Sequence, residues 1–381
     1  MMKFMKRYLS FVAIGLILLV CGASSIGGSL SPSTAYLLEK ISISIILAVS
    51  LGLVVGFLGE LSLGHASFMC VGAYFGGKLA ETLVIALNLN GSKNFLVLIL
   101  SLVVGAAFAA LCGFVIGLPA LRLRGDYLAI VTLAFGEIVR VVFTNAKAFG
   151  GAQGMNTPRL DRKYLFIIGL ALVLATIAIV QNLLRSKHGR AITAIRDNEI
   201  AARATGINVT KYKLMVFTIS SALAGVAGVL YSYSNFTINP SKFGYNYSIE
   251  ILVMVVLGGM GSINGAIIAA TLITFLNTKL PLVLTGELAV LQNLFYALIL
   301  ILLVIYNNAP ALKGFREKYN FKNLWNKIFK PNHDPARVRD DAARWDVVPT
   351  KIEMNEVLST DIVIDNFGDN SADIGERGGN K

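Results

Sequence analysis

Charge is scarce in this 381-residue sequence: Asp, Glu, Lys and Arg make up 15% of it, against 55% hydrophobic residues. With a mean hydropathy of +0.67, that balance excludes an ordinary soluble globular domain. Cysteine is scarcer still. Cys21, Cys70 and Cys112 each sit inside an apolar run, which suits neither a disulfide framework nor a metal cluster. The three histidines, His65, His188 and His333, lie far apart, so no metal site is expected. No nucleophile can be placed beside a base, and enzymatic activity is not expected. A phosphate-binding loop is missing as well. Gly72–Leu79 nearly matches one, but Leu79 stands where a Mg²⁺-binding hydroxyl is required and the run lies inside an apolar stretch. ATP and Mg²⁺ are therefore not expected on this chain.

What the sequence has in abundance is apolar runs of about 20 residues, each long enough at about 1.5 Å per residue to cross a hydrocarbon core of roughly 30 Å. The expected fold is all-α, a polytopic transmembrane helical bundle of about ten membrane segments with broken or re-entrant helices. The segments fall at 7–26, 36–58, 62–82, 95–118, 126–146, 164–184, 214–234, 248–262, 263–280 and 286–306. The first is expected to be retained rather than cleaved as a leader, since bulky Val20 precedes Cys21. The stretch 248–262 is short for an upright span and suggests a half-helix. Small residues at four-residue spacing, Gly52/Gly56, Gly72/Gly76 and the row Gly105, Ala109, Gly113, Gly117, mark close helix contacts.

The net charge of +12 comes from bases gathered between apolar runs, which points to loops on an anionic membrane and away from nucleic acid. With an even number of spans, eighteen Lys and Arg fall on the side of both termini and six on the other, so both termini are expected in the cytoplasm. Residues 1–312 form the expected membrane domain. Residues 313–381 open basic and then turn acidic, as a largely disordered cytoplasmic tail would.

Three features carry mechanism. Arg185–Lys213 is a long, charged, helix-compatible loop between two spans, with Glu199 and Arg203 at i,i+4 and Arg196 and Glu199 at i,i+3 to support a surface helix. Its alanines keep that surface shallow enough to enter a partner's groove. Two apolar stretches are interrupted, at Gly59, Glu60, Ser62, Gly64 and His65, and at Gly258, Gly259, Gly261 and Ser262. Such breaks are either tight turns or exposed half-helix ends lining a pathway. His65 is expected to satisfy a local hydrogen bond. Glu137 and Arg140 are expected to pair on one helix face, as a structural pair rather than a transport site.

The run Ile195–Ala202 followed by Gly206–Ile207–Asn208 resembles the coupling loop of permeases in the branched-chain amino-acid ABC transporter family. Gly59–Phe68, Leu121–Phe135 and Val255–Ser262 resemble the same family, in the same order, so the likeness runs from about 36 to 306. Importer permeases carry a Glu-Ala-Ala-x-x-x-Gly pattern there. Ala201, Ala202 and Gly206 keep that spacing, while Glu199 lies one position early. The resemblance implies that Arg196, Asp197, Asn198, Glu199, Ala201, Ala202, Gly206 and Ile207 meet an ATPase. It also implies the partners: two ABC ATPase subunits that bind the ATP and Mg²⁺, a homologous second permease, an extracytoplasmic solute-binding protein, and membrane lipid. The expected location is a prokaryotic inner or plasma membrane, and the expected cargo is branched-chain amino acids, with urea or short amides as alternatives. An ion-coupled secondary transporter is the rival class, and it would need unpaired carboxylates deep in the bundle.

Overall fold

A computed structural model describes residues 31–86, 94–121, 123, 125–157, 162–283 and 301. The chain divides into Met1–Asn307 and Asn308–Lys381. The second unit, with the expected tail, lies outside the described residues, as do the expected segment 7–26, all of the expected segment 286–306 but residue 301, and Arg122 and Arg124.

The described chain is helical. It comprises α1 (Pro32–Gly52), extended by a π-helical turn (Leu53–Leu58), then α2 (His65–Ala86), α3 (Asn94–Ala120), α4 (Asp126–Asn145) and α5 (Arg162–Arg185). Two short helices follow, α6 (Lys187–Asp197) and α7 (Glu199–Ala204), then α8 (Val209–Ser234), α9 (Tyr245–Gly258) and α10 (Ile263–Val283). Among the described residues, six helices are long and apolar enough to cross a membrane: those of α1 with its π-turn, α2, α3, α4, α5 and α8. The expected 248–262 and 263–280 segments appear as shorter apolar helices, α9 and α10. A two-residue antiparallel ribbon, β1 (Met155–Asn156) with β2 (Thr237–Ile238), ties the loop after α4 to the loop after α8.

Small residues decide how these helices meet. In lipid there is no hydrophobic drive between helices, so close backbone approach supplies the contact. A Cβ on Gly72 of α2 would stand 2.3 Å from the Gly225 carbonyl oxygen of α8, and one on Gly228 would stand 2.0 Å from the Met69 carbonyl oxygen. The row Gly105, Ala109, Gly113 and Gly117 is the face α3 turns to α8, where it meets Val229, Gly225, Ser221 and Leu214 in succession. The other face of α3 exposes Leu96, Val103, Leu111 and Val115, as a lipid-facing helix does. The core thus centres on α1, α2 and α8, with α3 to α5 outside it.

The turns sort into two ends. One end holds residues 58–62, the start of α4, α6, α7 and the α9–α10 turn, because Arg196 reaches Gly56 and Gly56 packs on Gly261. The opposite end holds the start of α1, the ribbon, and the loop into α9.

Candidate functional site

The expected coupling loop does not form one helix. Ser186 caps α6, its Oγ accepting the N–H groups of His188 (3.1 Å) and Gly189 (3.3 Å). Asn198, in extended backbone, ends α6 and starts α7, its Oδ1 accepting the N–H groups of Ile200 and Ala201 at 3.0 Å each. The i,i+3 spacing of Arg196 and Glu199 therefore does not place them on one helix face, which corrects that expectation. At the far end of α7, Gly206 takes a left-handed φ of 86°. Its N–H bonds the Arg203 carbonyl and that of Ile207 bonds the Ala202 carbonyl, both at 3.1 Å, a Schellman cap that needs Gly at that position. Ala202 is buried beneath, while Ala201 and Ile200, the latter 75% exposed, face outward. The spacing of Ala201, Ala202 and Gly206 is thus first of all the spacing of one capped helical turn.

Beneath this segment sits an ion cluster. Lys213, in the first turns of α8 and only 3% exposed, pairs with Glu60 of the first break and, at 3.1 Å, with Glu199. Glu199 also holds Arg203 at 2.8 Å. Placing the carboxylate at 199, directly after the Asn198 cap, is what brings it over Lys213, and this gives a physical reason for its early position in the motif. Arg196 forms the second tie. Its Nη1 donates to the Gly56 carbonyl at 3.2 Å, its stem covers Gly59, where a Cβ would stand 2.9 Å from Arg196 Cγ, and its guanidinium pairs with Asp197 at 3.0 Å.

The first break re-enters the bundle. After Gly59, whose φ is 82°, residues 60–64 run back inward, so α2 starts beside the last turn of α1, at Ser50. Leu63 donates its N–H to Thr132 Oγ1 (3.0 Å), and Ala66 donates to Ser248 Oγ (3.2 Å). Ser220 Oγ donates to the Ser50 carbonyl (2.6 Å), and Ser50 Oγ lies 2.8 Å from His65 Nε2. Ser50 Oγ also lies 2.9 Å from the Leu47 carbonyl, so a His65 tautomer with its proton on Nε2 would satisfy both contacts. Ser62 Oγ is buried without a partner among the described residues. Hydroxyls from α1, α4, α8 and α9 thus converge on the start of α2 in a buried polar patch with no metal-ligating group of three or more side chains among the described residues.

The second break is of another kind. Gly258 packs against Gly265, the Gly259 carbonyl accepts the Ser262 N–H (3.0 Å), and Ser262 Oγ accepts the Gly265 N–H (3.1 Å). This is a tight capped turn. It nevertheless touches the first break, since a Cβ on Gly56 would stand 2.4 Å from Gly261 N.

Glu137 and Arg140 belong to neither break. They pair at 2.6 Å toward the opposite end, where Glu137 Oε1 accepts the Tyr245 N–H (3.1 Å) and so caps α9, whose own N-cap is Gly244. Lys213, Ser50, Thr132, Ser220 and Ser248 are the members that sequence reasoning missed. For Lys213 and Ser220 a signal exists: positions 209, 213, 216, 217 and 220 form one buried helical stripe. A lysine on such a stripe must find carboxylates. Glu39, 3% exposed in α1, was passed over in the same way and accepts a bond from Ser234 (2.6 Å).

Comparison with known proteins fits this geometry. The chain is 38% identical over 264 residues to the high-affinity branched-chain amino acid transport system permease protein LivM of Salmonella typhimurium, covering 61% of this chain and 60% of that one. It is 37% identical to the Escherichia coli protein of the same name with the same coverage. The chain therefore spans about three fifths of the length of these relatives. It is 30% identical to the ribose import permease protein RbsC of Escherichia coli over 71% of this chain and 84% of that one. No solved structure matches the chain. A family model described as branched-chain amino acid transport system / permease component matches residues 33–306, and the chain belongs to that family.

Proposed function

We propose that the chain is the membrane-spanning permease subunit of an ATP-binding-cassette importer for branched-chain amino acids, with α6 and α7 receiving the push of separate ATPase subunits. The observation that carries this reading is the ion cluster. An exposed, shallow helical segment is tied through Glu199 and Lys213 to Glu60, and through Arg196 to Gly56, so force on that segment reaches the re-entrant break directly. On this reading the α6–α7 end faces the cytoplasm, as the distribution of bases favours. ATP and Mg²⁺ bind the partner subunits. A second permease and an extracytoplasmic binding protein complete the importer, and the binding protein carries most of the selectivity.

The LivM relatives support amino acids as cargo, and the ribose permease relatives make a sugar the competing cargo. Ion coupling is the competing class: Glu137 is neutralised by Arg140 and Glu60 by Lys213, while Glu39 and Glu250 accept hydrogen bonds from the neutral Ser234 and Asn277. The test is co-purification followed by uptake in proteoliposomes supplied with ATP and the binding protein. Recovery of ATPase subunits and ATP-dependent leucine uptake is expected. Uptake of ribose or urea in its place would refute the cargo, and gradient-driven uptake by the chain alone would refute the class.

A further inference from the structure

At the end opposite the ion cluster, α1, α8, α9, α10 and the short turn Pro240–Phe243 enclose a cavity of about 320 Å³. At about 30 Å³ per water it has room for roughly ten waters, which suits a small solute with part of its hydration. Its charges are unusual for a membrane bundle. Lys40 and Lys242 both line it, and neither forms an ion pair among the described residues. Lys40 instead rests 4.7 Å from the centre of the Tyr36 ring and attracts the Glu250 carboxylate without pairing with it, so the two groups hold opposite charge in one cavity. Across the cavity Glu250 accepts a hydrogen bond from the Asn277 amide, a neutral partner. Thr274 is buried in the wall, and its Oγ1 has no partner among the described residues. Ile43 and Phe243 supply an apolar side.

Two ammonium groups, one carboxylate, an unpartnered hydroxyl and an apolar wall make an arrangement complementary to a zwitterion with a hydrocarbon side chain. We infer that this cavity is a binding site for an aliphatic α-amino acid, with Lys40 and Lys242 facing its carboxylate, Glu250 its ammonium, and Ile43 and Phe243 its side chain. The inference rests on the cargo reading above. It adds that the permease itself recognises the charged backbone of its cargo rather than offering an inert passage. Binding is weak by design, because a site on a transport route must release what it takes.

The experiment uses the permease complex in nanodiscs without binding protein, with Cys21, Cys70 and Cys112 replaced by Ala and Thr278→Cys as reporter in the cavity wall. Millimolar leucine is expected to slow maleimide labelling several-fold. Leucinol, isocaproate and ribose, which lack the carboxylate, the ammonium or both, are expected to leave it unchanged. Glu250→Gln and, independently, Lys242→Ala at an exposed position should abolish the protection. Equal protection by isocaproate or leucinol would overturn the zwitterion assignment. Leucine import without any protection would overturn the site and leave the cargo reading intact. Protection by ribose, with no leucine import, would overturn both.

Discussion

Lys213 offers the sharpest test of the architecture, because the residue is 3% exposed and its ammonium stands between Glu60, 9% exposed, and the half-buried Glu199. Lys213→Met keeps the length and apolar stem but leaves the Glu60 carboxylate buried without a counter-charge. Stranding one partner of a buried pair costs about 3–5 kcal/mol. At about 2–4 °C per kcal/mol, the scale for folded units of roughly 150–250 residues and an upper bound for this longer chain, the apparent melting temperature should fall by up to roughly 6–20 °C. Adding Glu60→Gln removes the stranded charge. Glu199 keeps Arg203 in either background, so the double variant should recover more than half of the loss. Both tryptophans, Trp325 and Trp345, lie outside the described bundle, so their fluorescence is a poor probe of it. The monodisperse fraction surviving a heating series, read by size-exclusion chromatography, reports directly. A single variant within about 2 °C of the parent, or a double variant no more stable than the single one, would refute the assignment of a buried ion pair.

Three further outcomes follow from the same contacts. Gly72→Ala drives a methyl into the Gly225 carbonyl, 2.3 Å from the built Cβ, and should cost about 1–3 kcal/mol, read by the same heating series. Asn198→Ala removes the side chain that caps α7 and should cost about 1 kcal/mol, read in that series too; an unchanged melting temperature would argue against the break between α6 and α7. Ile200→Ser, at a 75% exposed position, should leave stability within about 0.5 kcal/mol of the parent yet reduce the ATPase subunits that co-purify, and an unchanged yield would remove Ile200 from the docking surface.

Much of this was legible in the sequence wherever a signal is local. Apolar length gave six long helices, small-residue spacing gave the face that α3 turns to α8, and Gly with Ser and Glu marked the break at 59–65 as distinct from ordinary helix. What sequence alone could not supply were contacts between positions far apart. Glu60 and Lys213 lie 153 residues apart, and nothing near either names the other. The two breaks look alike as strings, yet the first folds back into the bundle while the second closes on itself, because Ser262 caps its own helix and Thr132 and Ser248 stand ready to bond the first. Hydrophobic spans also conceal polar residues. Ser50, Ser220 and Glu39 sit within runs whose average hydropathy hides them, and only their shared faces give them meaning.

The contrast between the two breaks bears on how the permease would move. A tight, capped turn such as 258–262 shifts as a unit, since its hydrogen bonds are all internal. The re-entrant break is held from outside itself, by Arg196 on one side, Lys213 on another and hydroxyls of α4 and α9 above. On the proposed reading, a displacement of α6 and α7 therefore has two effects at once. It strains the ties to Gly56 and Glu60, and through the Gly56–Gly261 contact it carries the α9–α10 turn along. Because Gly56 and Gly261 meet backbone to backbone, there is no side chain between them to absorb the motion. The start of α2 is then the point that must yield, since its bonds are single hydroxyl contacts of about 3 Å rather than a helical ladder. Each is worth about 1 kcal/mol net, whereas parting Lys213 from Glu60 would leave buried charge without a partner at about 3–5 kcal/mol, so on the proposed reading the hydroxyl patch yields first and the ion cluster transmits.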